Sequence, residues 1–293
     1  MRSNPADYEI YAPGNLHDVV ALIGGSPGAI LPIAGGTDVM VQFAAGTLQP
    51  RRLVSIWNLP DLRRVEILPG EVRIGAGCTY TDLREHDVVK HEFPLLAQAA
   101  SWIGGIANQN KGTLGGNIAN ASPAGDSLPA LLAYDAELIL VSIRGERRVA
   151  YRQFHVDYKK MNLERDELIR AVCLARRFNE YISYARKVGT RNAQAISKVC
   201  MAALARIERG VIEDVRMAVG SVAPIPLRLA QTERILKGKR PERSLVALAR
   251  ESAVAEIRPI DDLRSTARYR AAVVGNLVAE FLERLGAPAA GHE

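Results

Sequence analysis

The chain has 293 residues, of which 48% are hydrophobic and 24% are charged, values that argue against a disordered or fibrous protein. Its length suits two domains or one large domain. The net charge of +6 is small for this length and the basic residues are scattered, so the sequence does not predict a nucleic-acid-binding protein.

Hydrophobic spacing predicts an alternation of short strands and helices. In chain order, we first predict a helix at residues 16–23, strands at 29–33 and 53–56, and a strand with Val72 and Ile74 on one side before Gly75. Helices at 82–89 and 94–103, a glycine-rich loop to Gly116, a helix at 128–134 and a strand at 137–143 are predicted to follow. The C-terminal third is predicted to contain strands at 199–207 and 211–219, joined by a hairpin turn, and a helix ending near Gly286. The last helix has an apolar residue at every fourth position, which predicts one packing face made of Tyr269, Val273, Leu277 and Phe281. The character of the chain changes near residue 178, where we predict a domain boundary.

The cysteines, Cys78, Cys173 and Cys200, lie far apart and form no CxxC pair. They predict neither a disulfide framework nor a zinc or iron–sulfur site, and they fit a reducing cytoplasmic compartment. The longest uncharged stretch, residues 19–37, contains two prolines and five glycines, so it cannot form a membrane-spanning helix. We therefore predict a soluble cytoplasmic protein without a membrane span.

The first of two glycine-rich segments, residues 32–39, follows a predicted strand and contains Gly35 and Gly36. Glycines allow backbone N–H groups to approach a ligand without an intervening Cβ, and N–H groups curled in this way suit a phosphate. Thr37 can add a hydroxyl donor. Asp38 would repel a phosphate, so it suits a loop cap or the binding of a ribose or ribityl hydroxyl.

The second glycine segment, residues 111–126, carries a hydroxyl, two glycines, an amide, a Ser-Pro turn and an acid. Two such segments suit a diphosphate, although each Gly-Gly pair alone could be only a tight turn. The usual nucleotide motifs are missing, because Gly75-Ala76-Gly77 lacks the third glycine of the dinucleotide fingerprint and Lys111 does not follow a glycine. A dinucleotide bound here would not lie in a Rossmann fold.

The two glycine segments, with residues 154–160, 166–169, 220–228 and 262–270, resemble the FAD-binding medium subunits of the molybdenum hydroxylases, the xanthine dehydrogenase and carbon monoxide dehydrogenase family. The resemblance covers nearly the whole chain in order. It implies an α+β fold with a vanillyl-alcohol-oxidase-type (PCMH-type) FAD-binding domain at residues 1–178, whose subdomains span about 1–58 and 59–178. A C-terminal domain of sheet and helices, like that of the carbon monoxide dehydrogenase flavoprotein, would follow at residues 179–293.

The resemblance also implies which residues hold a non-covalent FAD. The first glycine segment would wrap the diphosphate, residues 113–117 would form a second wall, and Asp126 would hold a polar part of the cofactor. Leu168 would pack beside the adenine or the ring, and the charge of Lys198 would favour the anionic reduced flavin. The implied cofactor-binding residues are Pro32, Ile33, Ala34, Gly35, Gly36, Thr37, Asp38, Val39, Ile103, Thr113, Leu114, Gly115, Gly116, Asn117, Ser122, Asp126, Leu168, Ile169 and Lys198.

The sequence shows no Ser–His–Asp set, paired carboxylates or metal cluster, so the chemistry of the chain would come from its cofactor. The resemblance implies an oxidoreductase subunit that takes electrons from 2Fe–2S clusters and passes them to NAD, quinone, oxygen or another small-molecule acceptor. Molybdopterin and the clusters would lie on a large and a small partner subunit, in a dimer of heterotrimers. Two alternatives stay open: a stand-alone FAD-dependent oxidase, and a non-catalytic scaffold subunit of the same complex.

Overall fold

Strands and helices alternate along the chain, which a computed structural model describes over residues 3–191 and 193–286. The strands are β1 (Glu9–Tyr11), β2 (Ile30–Ile33), β3 (Arg52–Ser55), β4 (Val65–Ile67), β5 (Glu71–Gly75), β6 (Glu137–Ser142), β7 (Gly145–Ala150), β8 (His155–Asp157), β9 (Lys160–Met161), β10 (Leu168–Ala175), β11 (Ile182–Val188), β12 (Val199–Glu208), β13 (Val211–Gly220) and β14 (Leu227–Arg228). The helices are α1 (Leu16–Gly24), α2 (Val39–Ala45), α3 (Tyr80–Glu85), α4 (Asp87–Glu92), α5 (Pro94–Trp102), α6 (Ile106–Gln109), α7 (Leu114–Asn120), α8 (Leu128–Ala133), α9 (Ala230–Leu236), α10 (Arg243–Glu256) and α11 (Ala267–Gly286). The predicted α+β class is confirmed. The predicted outer limits of the domains, residues 1 and 293, lie outside the described residues.

A small parallel sheet of order β1-β3-β2 opens the chain. Helix α1 begins where the Asn15 side chain accepts a hydrogen bond from the Asp18 N–H, and it buries Val19 and Ile23 in a small core with this sheet. Because the strands are parallel, their C-terminal ends meet at one edge. The first glycine segment leaves the sheet from that edge, directly after β2.

A second sheet, of order β4-β5-β10-β6-β7, is antiparallel throughout and packs against α3, α5 and α8 in the largest core. Its central strand β10 is almost entirely buried, which explains its nearly continuous apolar sequence. Val72 and Ile74 of β5 are buried together in this core, as their alternation predicts.

A third sheet, of order β11-β12-β13-β14, lies between α5 and α8 of the preceding part and the helices α9, α10 and α11. The predicted hairpin is confirmed: Arg209 and Gly210, between β12 and β13, both have positive φ, as a tight two-residue turn requires. The predicted face of α11 is confirmed for Leu277 and Phe281, which are buried. The prediction of a packing role for Tyr269 is wrong, because its side chain is 44% exposed in the first turn of the helix.

Two other predictions of local structure need correction. The predicted helix at 82–89 is two helices, because His86 has an extended backbone that ends α3 and begins α4. The predicted loop up to Gly116 contains α6 and the first turn of α7, in which Thr113 is the N-cap residue. The glycines suggested a loop, but the cap allows a helix to start there. The boundary near residue 178 falls between β10 and β11 and stays a prediction.

A charged cluster links distant strands of the second sheet and predicts acid sensitivity. Arg148 of β7 donates hydrogen bonds to Glu71 of β5 at 2.8 and 3.0 Å, and Arg73 donates at 2.6 Å. Arg148 first, and Arg73 with it, lower the pKa of the Glu71 carboxyl from 4.5 to about 2. A lowered pKa in the folded chain contributes stability above the unfolded-state pKa, and this contribution is lost as the pH falls through the folded-state value.

We therefore expect Glu71→Gln to destabilise the chain by about 1–2 kcal/mol at pH 7. The difference from wild type should shrink as the pH falls from 4.5 toward 2. Thermal midpoints of both proteins, measured at a series of pH values, test this. Glu66→Gln is the matched control, because Glu66 is exposed and lies 3.9 Å from Arg73. A stability difference that does not change with pH would refute the assignment.

Candidate functional site

The two glycine segments touch through their backbones. A Cβ atom on Gly35 would lie 1.6 Å from the carbonyl oxygen of Lys111, a distance that only a residue without a side chain permits. Gly36 follows with a φ of +74°, which turns the chain from β2 into α2. Residues that lie far apart in sequence therefore meet at the edge of the first sheet.

The second glycine segment is fixed, at Leu114 and Gly115, to the stretch of chain that directly follows β5 of the second sheet. Leu114 N–H donates to the Cys78 carbonyl at 3.0 Å and Gly115 N–H to the Ala76 carbonyl at 2.8 Å. A Cβ on Gly115 would lie 2.5 Å from the Cβ of Ala76, so glycine allows this close approach. Gly116 is exposed and its N–H is held by the Thr113 hydroxyl at 3.1 Å. One glycine therefore packs the helix on the sheet while the next faces outward.

Asp38 joins the first glycine segment to the end of α7. Its carboxylate accepts a hydrogen bond from the side-chain amide of Asn120 at 3.2 Å and another from that of Gln42 at 3.0 Å. Lys159 in turn donates to the Asn120 side-chain oxygen at 2.6 Å. Both carboxylate oxygens thus accept from side-chain amides, and these bonds link the first glycine segment to α2 and α7 without capping a backbone N–H of α2.

Asp126, at the end of the second segment, lies in a buried polar cluster. Its side chain accepts from the Lys187 ammonium at 2.6 Å and from the Ser197 hydroxyl, and Lys187 also donates to the Trp102 carbonyl at 2.9 Å. Asp126 is only 8% exposed. Burial raises the pKa of its carboxyl, whereas Lys187 and Ser197 act in the opposite direction. The C-terminal part of the chain therefore holds this carboxylate in place.

Sequence reasoning missed Lys187. The signal that could have found it is the need of a buried carboxylate for a cationic or hydrogen-bonding partner. That need does not identify the partner, which lies 61 residues from Asp126 and on the other side of the predicted domain boundary. Only the packing of β11 against the second glycine segment brings the pair together.

The other predicted residues have varied surroundings. Ser122 accepts from the Ala124 N–H at 3.3 Å, and Asn117 accepts from the Ser127 hydroxyl at 2.7 Å, so both stabilise the second segment. Ile103 is half-buried against the largest core, directly after α5.

Leu168, Ile169 and Lys198 lie among protein side chains. Leu168 is 7% exposed in the core of the first sheet, and Ile169 is buried in the largest core. The ammonium of Lys198 lies 5.1 Å from the centre of the Tyr269 ring. Their contacts with FAD stay predictions.

Comparison with known proteins decides the family. The model of the FAD binding domain in molybdopterin dehydrogenase matches residues 6–175, and that of the CO dehydrogenase flavoprotein C-terminal domain matches residues 184–285. The chain belongs to the FAD-binding subunits of the molybdopterin dehydrogenases. The resemblance drawn from the sequence is confirmed, and with it the prediction of an FAD-binding oxidoreductase subunit.

Individual relatives resemble the chain over nearly its full length. The xanthine dehydrogenase FAD-binding subunit of Escherichia coli O157:H7 is 32% identical over 94% of this chain and 95% of its own. The carbon monoxide dehydrogenase medium chain of Hydrogenophaga pseudoflava is 30% identical over 95% of this chain and 96% of its own. A solved structure of carbon monoxide dehydrogenase from the same organism, lacking the Mo-pyranopterin moiety, superposes with a TM-score of 0.90 at 28% identity, covering 93% of this chain and 95% of that one.

The residues of this family member fit the cofactor that its family model names. Gly36 has a φ of +74° and Gly116 is exposed in the first turn of α7, so glycine backbone borders the space where a closely bound diphosphate would lie. Across the described ranges, His, Cys, Asp and Glu side chains form no group of three or more that could bind a metal ion. In those ranges, too, no helix has both the length and the apolar character that crossing a bilayer requires.

Proposed function

We propose that the chain holds one non-covalent FAD between its two glycine segments and transfers electrons through it as one subunit of a larger complex. The observation that carries this proposal is the backbone approach of Gly35 to the Lys111 carbonyl, which brings two glycine segments together. The first segment can surround phosphate oxygens with N–H groups. The N–H groups of residues 114–117 already donate within the protein, so the second segment would bound the diphosphate as a wall.

The proposed roles follow from the position of each segment. Residues 32–39 wrap the diphosphate and residues 113–117 form the opposite wall. Asp126, supported by Lys187 and Ser197, fixes the loop that faces a polar part of the cofactor. Ile103 covers the flavin by apolar contact. Leu168, Ile169 and Lys198 complete the site on the resemblance alone.

FAD supplies redox chemistry that no side chain of this chain provides, since it accepts electrons singly or in pairs. The chain would therefore connect one-electron donors to a two-electron acceptor such as NAD, a quinone or oxygen. We propose a small 2Fe–2S subunit as the donor and a large molybdopterin subunit as the place of substrate oxidation, in a cytoplasmic dimer of heterotrimers. The names of the relatives support this, because they describe medium chains and FAD-binding subunits of dehydrogenases.

We also propose that the chain divides near residue 178 into a domain at 1–178, with subdomains 1–58 and 59–178, and a domain at 179–293. The connection between β10 and β11 supports this division. The two matched family regions, which end at 175 and begin at 184, support it as well.

Reduction and reoxidation of the bound flavin test the electron-transfer function. The chain loaded with FAD is reduced without oxygen by a one-electron donor and is then mixed with NAD, a quinone or oxygen. We expect the absorbance of oxidised flavin to return rapidly with one class of acceptor. A flavin that is reduced by small organic substrates without any partner subunit would favour the stand-alone oxidase. A chain that takes up no FAD would favour the scaffold.

A further inference from the structure

The C-terminal part of the chain holds the loop that ends the second glycine segment. The Ser221 N–H, at the end of β13, donates to the Pro123 carbonyl at 2.8 Å. Three residues further along the loop, Asp126 accepts from the Ser197 hydroxyl and from Lys187. The position of residues 122–126 therefore depends on where Ser197 and Ser221 lie.

Ser221 is itself in a strained conformation. Its φ of +67° lies in the left-handed region, which residues with a side chain seldom occupy unless their surroundings enforce it. In addition to its N–H, its hydroxyl donates to the Ser197 carbonyl at 3.0 Å and its carbonyl accepts from Arg270 at 2.7 Å. Ser221 contacts the loop directly at Pro123 and indirectly through Ser197, and its carbonyl connects both contacts to helix α11.

The side chain of Arg270, in α11, fixes Ser221 through hydrogen bonds. It is 2% exposed, and one guanidinium nitrogen donates to the carbonyls of both Ser221 and Lys198. Its other terminal nitrogen donates to Asp262 at 2.7 Å. A continuous series of hydrogen bonds therefore connects Asp262, through Arg270 and Ser221, to the loop that contains Pro123.

We propose that Arg270 is a positioning residue for the FAD site, which it reaches through Ser221 and Ser197 without touching the cofactor. This inference rests on the proposed function, because it assigns a role toward the cofactor held there. The C-terminal part of the chain then sets the position of residues 122–126. Loss of the Arg270 bonds releases two carbonyls and removes the restraint on the strained Ser221.

The test measures the loop directly and the cofactor separately. Arg270→Met removes the bonds and keeps much of the side-chain volume, whereas Arg270→Lys retains a positive charge and a donor. We expect hydrogen exchange of the peptide covering residues 117–127 to become roughly tenfold faster in Arg270→Met, and the FAD dissociation constant to rise by roughly tenfold. In Arg270→Lys, the exchange rate and the FAD dissociation constant should both lie between those of wild type and Arg270→Met. If Arg270→Met does not fold, Asp262→Asn, which weakens the same bonds from an exposed turn, should shift both readouts in the same direction.

Thr232→Val is the matched control. Thr232 is fully buried among the same C-terminal helices and hydrogen-bonds to Ser252 and Glu256, away from the loop. It should lower stability without changing exchange at residues 117–127. Unchanged exchange in Arg270→Met, or an equal change in Thr232→Val, would overturn the inference. A wild-type chain that takes up no FAD would refute the proposed function instead, and the exchange measurement would still decide the positioning role.

Discussion

Gly35→Ala should abolish FAD binding and destabilise the chain by about 3 kcal/mol or more. A Cβ at this position would lie 1.6 Å from the Lys111 carbonyl oxygen and 2.4 Å from its carbon. These are backbone atoms that cannot move aside as the end of a flexible side chain could. The two glycine segments must therefore separate, and the surface that we propose for the diphosphate is lost.

Thermal unfolding and titration with FAD, followed by the quenching of flavin fluorescence, measure both effects. Gly70→Ala is the control, because no atom lies within 4 Å of the Cβ that it would add and its φ is not positive. It should bind FAD as wild type does. A Gly35→Ala chain that binds FAD with an unchanged dissociation constant would show that the contact between the segments is irrelevant to the cofactor.

Lys187→Met should be the most damaging change outside the glycine segments. It leaves the buried Asp126 carboxylate without its cation, and breaking a buried pair on one side costs about 3–5 kcal/mol. The change also removes the bond to the Trp102 carbonyl, next to Ile103. We therefore expect lower stability together with weaker FAD binding.

The double variant Asp126→Leu/Lys187→Met separates the two effects. Two apolar side chains remove the unpaired charge, so part of the stability should return, but FAD affinity should stay low because the loop has lost its polar anchor. Denaturant midpoints and FAD titrations of the single and double variants give the coupling energy. Lys198→Met is the control for stability, since its ammonium contacts the exposed Tyr269 ring and should contribute only about 0.5–1 kcal/mol. Equal losses of stability for Lys187→Met and Lys198→Met would contradict this assignment.

Local sequence patterns were sufficient to predict much of the fold and the position of the first glycine segment. Alternation at Val72 and Ile74 identified β5, and an apolar run ending at Gly35 identified the exit from β2. These features depend on neighbours within a few residues. The start of α7 was missed although it is equally local, because the glycines after Thr113 outweighed its capping hydroxyl.

Local sequence patterns could not predict contacts between segments that lie far apart in the chain. Lys187 is an ordinary strand residue until β11 is packed beside Asp126. Leu168 pairs with Val141 of β6 and packs in the core of the first sheet, surroundings that no local pattern indicated. Its contact with FAD stays a prediction. Arg270 lies in a motif that the resemblance identified, yet its link to Pro123 exists only because β13 ends at the loop.

The flavin content of the purified chain is the most direct test of a non-covalent FAD site between the two glycine segments. The chain is incubated with FAD, freed of unbound cofactor and denatured, and the released flavin is identified by chromatography and measured against protein. A non-covalent site predicts one FAD per chain, released without proteolysis. A chain that retains no flavin after incubation with excess FAD, or one whose flavin stays attached after denaturation, would contradict a non-covalent site between the two glycine segments.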